Sequence, residues 1–159
     1  MIQKVNSVPP AVPPGLHTVT PYLLIKGAGD AIAFYVRVFG AVEITRLTAP
    51  DKRIGHAEIR IGLSTIMIAD EHPEFDFLGP QSRGGTTVSL LIYVDDADRV
   101  FRDALDAGAT ELRPLCDQFY GDRSGTVTDP WGHVWSIATH LEDISPAELT
   151  RRFEELYAD

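Results

Sequence analysis

Residues 121–140 read GDRSGTVTDPWGHVWSIATH, two short strands joined by the turn Asp129-Pro130-Trp131-Gly132. Proline presets φ at the second position of such a turn, and glycine tolerates a closing position with positive φ. Beyond the turn, Trp135, Ile137 and Thr139 alternate with Val134, Ser136, Ala138 and His140. A period of two sends alternate side chains to opposite faces of a sheet. Trp135 and Ile137 are therefore expected against a helix, and the lighter row is expected to line a hollow.

Upstream, the same order of elements occurs twice. A strand over 20–26 precedes a helix in which Ile32, Phe34, Tyr35, Val38 and Phe39 recur at helical spacing, with Asp30 as its cap and Gly40 as its stop. Strands follow over 41–48, 54–61 and 65–70. After an aperiodic connection, EHPEFDFLGPQSRGG, a strand over 88–94 leads to a helix capped by Asp96 and ended by Gly108. Val100, Phe101, Ala104 and Leu105 share a face of that helix. Strands over 110–115, 124–128 and 133–139 complete the second copy. Gly40 and Gly108 lie 68 residues apart, whereas Thr20 and Ser89, like Met67 and Ser136, lie 69 apart. Recurrence of one unit at nearly one offset marks an internal duplication.

The class is thus α+β, with tandem βαβββ modules at 18–70 and 87–140 and a connecting loop at 71–86. An arm at 1–17 precedes them, and its VPPAVPPG forbids helix and central strand. Within 141–159, Ser145-Pro146-Ala147-Glu148 opens a helix as a capping box with proline at its first position. Leu149, Phe153, Leu156 and Tyr157 mark its apolar face, which is expected to cover a sheet edge or a partner subunit.

With 159 residues, 44% of them hydrophobic, the chain suffices for one ordinary core. A net charge of −9 without a Lys/Arg cluster argues against nucleic acid and anionic membrane as partners. Neither an apolar run of membrane length nor a charged-then-apolar leader is read. The lone cysteine, Cys116, cannot close an intrachain disulfide, so a cytoplasmic location is expected.

The paired modules, the Phe34-Tyr35 dyad ahead of Val38-Phe39-Gly40, and the Asp129-Pro130-x-Gly132-His133 turn together resemble the vicinal-oxygen-chelate superfamily. That group includes glyoxalase I, bleomycin-resistance proteins and extradiol dioxygenases, and the resemblance covers about residues 18–140. It implies that each module curls into half of a cup, and that relatives pair as dimers. In the enzymes it implies a divalent metal held by His or Glu from the first and last strand of each module. Those four places fall here on Thr20, Met67, Ser89 and Ser136, and a slip of two residues brings in Tyr22, Leu91, Ala69 or Ala138. Hydroxyl, thioether and alkyl groups are poor partners for Zn, Ni, Fe or Mn. No metal and no other cofactor is therefore expected.

Other residues of the expected cup can still do chemistry. His56, Glu58 and Arg60 share one face of the strand over 54–61, opposite Ala57, Ile59 and Ile61. A salt-linked polar rim, a ligand contact and an acid–base pair are all open readings, as is a displaced metal site joined by His140 or His17. Tyr22 and Tyr93 share the parity of Thr20 and Ser89, and either line the cup or pack in the core. In the bend Phe119-Tyr120-Gly121-Asp122-Arg123, Tyr120 is the candidate to reach a ligand, while Asp122 and Arg123 hold the loop. His140 either meets solvent or contacts a ligand. His133 reads as a hydrogen-bonding turn residue, His17 and His72 as solvent-exposed loop residues, and Trp131 and Trp135 as packing. The candidate ligand-binding set is Thr20, Tyr22, His56, Glu58, Arg60, Met67, Ser89, Leu91, Tyr93, Tyr120, Ser136 and His140. The expected function is binding of a small organic molecule in the cup of a homodimer. The alternative is a lyase, isomerase or dioxygenase using His56 and Glu58.

Overall fold

A computed structural model describes residues 9–158 of the chain. Its first module comprises β1 (Tyr22–Ile25), α1 (Ala28–Phe39), β2 (Val42–Thr48), β3 (Ile54–Ile61) and β4 (Ser64–Asp70). The second comprises β5 (Ser89–Tyr93), α3 (Ala97–Asp106), β6 (Thr110–Asp117), β7 (Asp122–Thr128) and β8 (Val134–His140). A single turn of 3-10 helix, Pro73–Phe75, and the short α2 (Pro80–Arg83) occupy the connection, and α4 (Pro146–Glu155) follows the second module.

The strands form two four-stranded mixed sheets of matching order, β1-β4-β3-β2 and β5-β8-β7-β6. In each, the first strand runs parallel to the last and the other neighbours are antiparallel. The registers repeat as well. Tyr22 lies opposite Met67 across β1 and β4, and Leu91 lies opposite Ser136 across β5 and β8. The duplication read in the sequence is therefore a duplication of pairing. Of the residues named for the cup floor, Thr20 precedes β1 and Ser89 lies opposite Val134, so the residues paired with Met67 and Ser136 are Tyr22 and Leu91.

The alternation in β8 resolves as the residue sizes dictate. Trp135 and Ile137 are wholly buried, while Ser136 and His140 lie on the other face. Trp135 packs on the helix of the first module, with ring centroids 4.8 Å from Phe39 and 5.2 Å from Tyr35. The helix-bearing faces of both sheets thus share one core. Asp129, in the turn before β8, ties this core together. One of its carboxylate oxygens accepts from the backbone N–H groups of Trp131 and His133, the other from Tyr35 Oη at 2.6 Å and Trp135 Nε1 at 2.9 Å. Gly132 closes that turn at φ 92°, a left-handed conformation that a side chain strains. β1 and β5 are edge strands that do not pair with each other among the described residues, and Pro21 and Leu90 flank a groove between them.

Helix ends show where local rules were overruled. Asp96 caps α3 by accepting from Arg99 N, as read. Asp30 does not cap α1, because the helix begins earlier, at Ala28. Its free N–H ends are met instead by Asp70 of β4, whose Oδ1 accepts from Gly27 N and Ala28 N at 2.9 Å. Ser145 caps α4 by accepting from Glu148 N, yet the Glu148 carboxylate turns to Arg151 and Arg152, so the reciprocal half of the capping box is absent. No residue of α4 is buried. The helix is fastened through Arg152 to Glu142 and through Phe153 to Phe119, and it does not seal a sheet edge. The described part of the N-terminal arm lies on the first sheet, where Gly15 O accepts from Thr65 Oγ1 at 2.8 Å; residues 1–8 of that arm lie outside the description. No described helix is long and apolar enough to cross a membrane.

Candidate functional site

Each sheet has one face turned away from the helices, and the two faces differ in chemistry. On the first, β3 alternates Ala57 and Ile59, both buried, with His56, Glu58 and Arg60 on the open side. β1 adds Tyr22 to the same side. The Tyr22 hydroxyl lies 3.2 Å from His56 Nδ1, and His56 Nε2 lies 3.4 Å from Glu58 Oε1. Three residues named from strand parity are thus brought into one hydrogen-bonded row.

Next to that row is a cavity of about 540 Å³ lined by Tyr22, Leu24, Gly55, Ala69, His72, Phe75 and Phe77. Its outer wall comes from the connection after β4. That segment turns back on itself through a bridge between His72 and Phe77, and its base is clamped by Glu71. The buried Glu71 carboxylate accepts from Gly79 N at 2.6 Å and from Ser82 Oγ at 3.0 Å. The rings of Phe75 and Phe77 remain 68% and 54% exposed, large apolar surfaces that line the cavity without being buried in the core. His72, expected in solvent, is instead part of the cavity wall, and its Nδ1 lies 3.2 Å from Arg53 Nη1. The stretch EHPEFDF gave no period, so the wall was missed. Its only signal was a histidine and two phenylalanines between turn formers.

Other candidates of the first module stay outside this cavity. The Thr20 hydroxyl donates to the His17 carbonyl, which occupies its proton locally. Met67 is half-buried opposite both Tyr22 and Glu58. Arg60 is exposed and lines a neighbouring hollow of about 410 Å³ under Pro14, Gly15 and Leu16. His17 is exposed, as expected.

The open face of the second sheet is hydroxylic and largely satisfied within itself. Ser136 Oγ pairs with Thr126 Oγ1 at 3.1 Å, and Tyr120 Oη with Ser124 Oγ at 3.1 Å. Ser89, Leu91 and Tyr93 are exposed along β5. The buried Asp122 accepts from Tyr93 Oη at 2.8 Å and pairs with His140 Nδ1 at 2.7 Å, while His140 Nε2 faces Asp143 at 3.0 Å. Hydrogen bonds to Asp122 and then Asp143 raise the His140 pKa, and the Asp122 hydrogen bond raises that of Tyr93. Both ring nitrogens of His140 are thus engaged by carboxylates, which favour its charged form. Arg123 joins Asp98 of α3 to Asp117 of β6. The His133 ring does not serve the turn. It is buried, its Nε2 has no partner among the described residues, and desolvation lowers its pKa against the opposing pull of Asp129 and the Leu24 backbone.

Across the first and last strands of the two modules, the paired residues are Tyr22 with Met67 and Leu91 with Ser136: a phenol, a thioether, an alkyl chain and a hydroxyl. Tyr22 and Ser136 are already hydrogen-bonded to His56 and Thr126. This donor set does not fit the divalent metal of the related enzymes. Among the described residues, no group of three His, Cys, Asp or Glu side chains is placed to hold one elsewhere.

The sequence profile of the Glyoxalase/Bleomycin resistance protein/Dioxygenase superfamily matches residues 15–137. The chain belongs to this superfamily. An uncharacterised protein of Mycobacterium tuberculosis is 40% identical over 134 residues, spanning 82% of this chain and 79% of that protein. Among solved structures, TioX from Micromonospora sp. ML1 is similar at a TM-score of 0.61 and 26% identity, covering 81% of this chain and all of TioX. The fosfomycin resistance protein FosX from Listeria monocytogenes shares the superfamily fold alone, at a TM-score of 0.59 and 17% identity over 84% of this chain and 97% of FosX.

Proposed function

We propose that the protein binds a small, apolar, ring-bearing organic molecule in the cavity of its first module, without the metal of its enzymatic relatives. The observation that carries this reading is the wall itself. Phe75, Phe77, Tyr22 and Leu24 offer aromatic and aliphatic surface, and only Tyr22 and His72 add polar side-chain atoms. Aromatic rings stack or meet edge-on, and each such contact contributes about 0.5–1.5 kcal/mol beyond its buried area. No lysine or arginine lines the cavity, which disfavours an anionic ligand there.

Members of the superfamily commonly form dimers, and a homodimer is proposed here too. Exposed Leu47, Leu91 and Tyr93 on the open strand faces support it, since pairing about a twofold axis removes such surface from water. The exposed, unpaired Cys116 supports a cytoplasmic location.

Binding is tested by thermal shift with neutral aromatic compounds at high concentration. A ligand in excess of its Kd raises Tm by mass action. The expected shift shrinks in Phe77→Ala and persists in Tyr157→Phe. Mass-spectrometric metal analysis of the purified protein tests the metal-free reading, and stoichiometric Zn, Ni, Fe or Mn overturns it.

A further inference from the structure

The free edge of β1 can be followed from its register. The Pro21 carbonyl accepts from Met67 N, so in this parallel ladder Leu23 and Ile25 direct their backbone groups at β4. Tyr22 and Leu24 direct theirs the other way, toward the groove between β1 and β5. That groove encloses about 500 Å³, an ordinary size for a ligand cavity. It shares Tyr22 and Leu24 with the aromatic cavity but none of its phenylalanines. The Leu24 carbonyl accepts from the ring of His133, which also lines the groove. Since Nε2 is the nitrogen without a partner among the described residues, Nδ1 makes that bond and bears the ring proton. Burial disfavours the charged ring, so Nε2 is a bare acceptor on a side chain only 8% exposed. A donor brought to a buried, unmet acceptor gains more than it does in water.

From this arrangement we propose that the groove is a second binding site, for a neutral amide with an aliphatic body. The amide N–H donates to His133 Nε2, and the amide carbonyl accepts from an outward N–H of β1. The site is independent of the aromatic cavity. Each other class of ligand fails at one partner. A carboxylate or a phosphate has no proton to offer Nε2, and an ester has only acceptors. An ammonium can donate, but among the described residues no carboxylate lines the groove to offset the burial of its charge. Arg83 lines the groove too, yet its guanidinium is already bound to the carboxylate and the backbone carbonyl of Asp76. An alcohol carries donor and acceptor on one atom, whereas an amide sets them on two, as a neighbouring strand does at a sheet edge. Pro21, Leu78, Pro80, Val88 and Leu90 supply the wall for the aliphatic body.

The test titrates the full, ¹⁵N-labelled chain with cyclohexanecarboxamide and with methyl cyclohexanecarboxylate, which has the same body and no donor. Long-range ¹H–¹⁵N spectra are expected to place the His133 proton on Nδ1. The amide should move the Nε2 resonance upfield, as acceptance of a hydrogen bond does, and shift the backbone signals of Tyr22, Leu24 and Gly79. The ester should bind at least about tenfold more weakly, since it leaves Nε2 unmet. Thr87→Trp adds bulk at an exposed residue of the lining and should weaken the amide by a similar factor at unchanged Tm. Equal binding of amide and ester, or a ring proton on Nε2, overturns the proposal. An Nε2 resonance that saturating amide does not move shows that water satisfies the nitrogen, and overturns it too. Shifts centred on Phe75 and Phe77 instead put the amide in the aromatic cavity, which removes the second site and leaves the binding reading above intact.

Discussion

Tyr35 donates its hydroxyl to Asp129 at 2.6 Å across 94 positions of sequence, with both groups buried. This bond joins the helix of one module to the turn that opens the last strand of the other. Burial first, then the Asp129 charge, hold the Tyr35 phenol protonated by raising its pKa well above 10. Tyr35→Phe removes one of four donors to a carboxylate that cannot reach water, and is expected to cost about 1–3 kcal/mol. Asp129→Ala is worse, because it strands the Tyr35 hydroxyl, the Trp135 N–H and two backbone N–H groups at once. A loss above about 4 kcal/mol is expected there. Urea denaturation checks both, as a lower midpoint at constant slope.

Two histidines give stability opposite dependences on pH. His140 has its pKa raised from 6.5 by Asp122 and Asp143. Its contribution is fully present below pH 6.5 and is lost as pH rises through the folded-state value. His133 has its pKa lowered from 6.5 by burial. The unfolded chain then binds more protons just below pH 6.5, so stability falls as pH drops from there toward the folded-state value. Denaturation midpoints measured from pH 5 to pH 8 in His140→Gln should lose the decline on the alkaline side. In His133→Asn the decline on the acid side should be the one that weakens. A profile of unchanged shape in His140→Gln contradicts the assignment.

Gly125 lies in β7 beneath α3, and the room for a side chain is already taken. A Cβ there would come within 2.6 Å of Phe101 Cε2 and 2.9 Å of Leu115 Cα. The ring can turn, but the backbone of β6 cannot retreat without loosening its pairing. Gly125→Ala is therefore expected to destabilise by about 1–3 kcal/mol, the usual cost of overpacking. Hydrogen exchange should quicken in β6 and α3 while β1 to β4 remain protected.

The fold was legible because both of its signals are local. Alternation in 54–61 and 133–139, and turn and stop residues at matching offsets, do not depend on distant contacts. The same parity placed Tyr22, His56 and Glu58 on one face, and Tyr22 reaches His56 across β4, which lies between β1 and β3. What failed required tertiary knowledge. The cap of α1 comes from Asp70, some forty positions away, so the nearby Asp30 was the natural but wrong choice. Tyr93, His140 and Asp122 satisfy one another, which no spacing announces. His72, Phe75 and Phe77 are in an aperiodic loop, and composition alone cannot say whether such a loop faces water or walls a cavity.

That wall depends on the clamp at its base. Gly79 N and Ser82 Oγ both donate to the buried Glu71, and Gly79 has no room for a side chain because a Cβ would strike the Leu24 carbonyl oxygen. The two ends of the loop are thus held against β1, so Phe75 and Phe77 stand over the cavity at a fixed height. Glu71→Ala removes the acceptor and leaves Gly79 N buried without a partner, a loss of about 1–3 kcal/mol. If the loop opens locally, most of that cost appears as faster hydrogen exchange over residues 72–79 and little of it as a lower global midpoint. Affinity for an aromatic ligand should fall by roughly tenfold for each 1.4 kcal/mol required to restore the closed wall. The conservative Glu71→Gln keeps one acceptor oxygen and should recover part of both losses. Equal affinity in Glu71→Ala and the unmodified protein means that the aromatic loop does not form the binding surface.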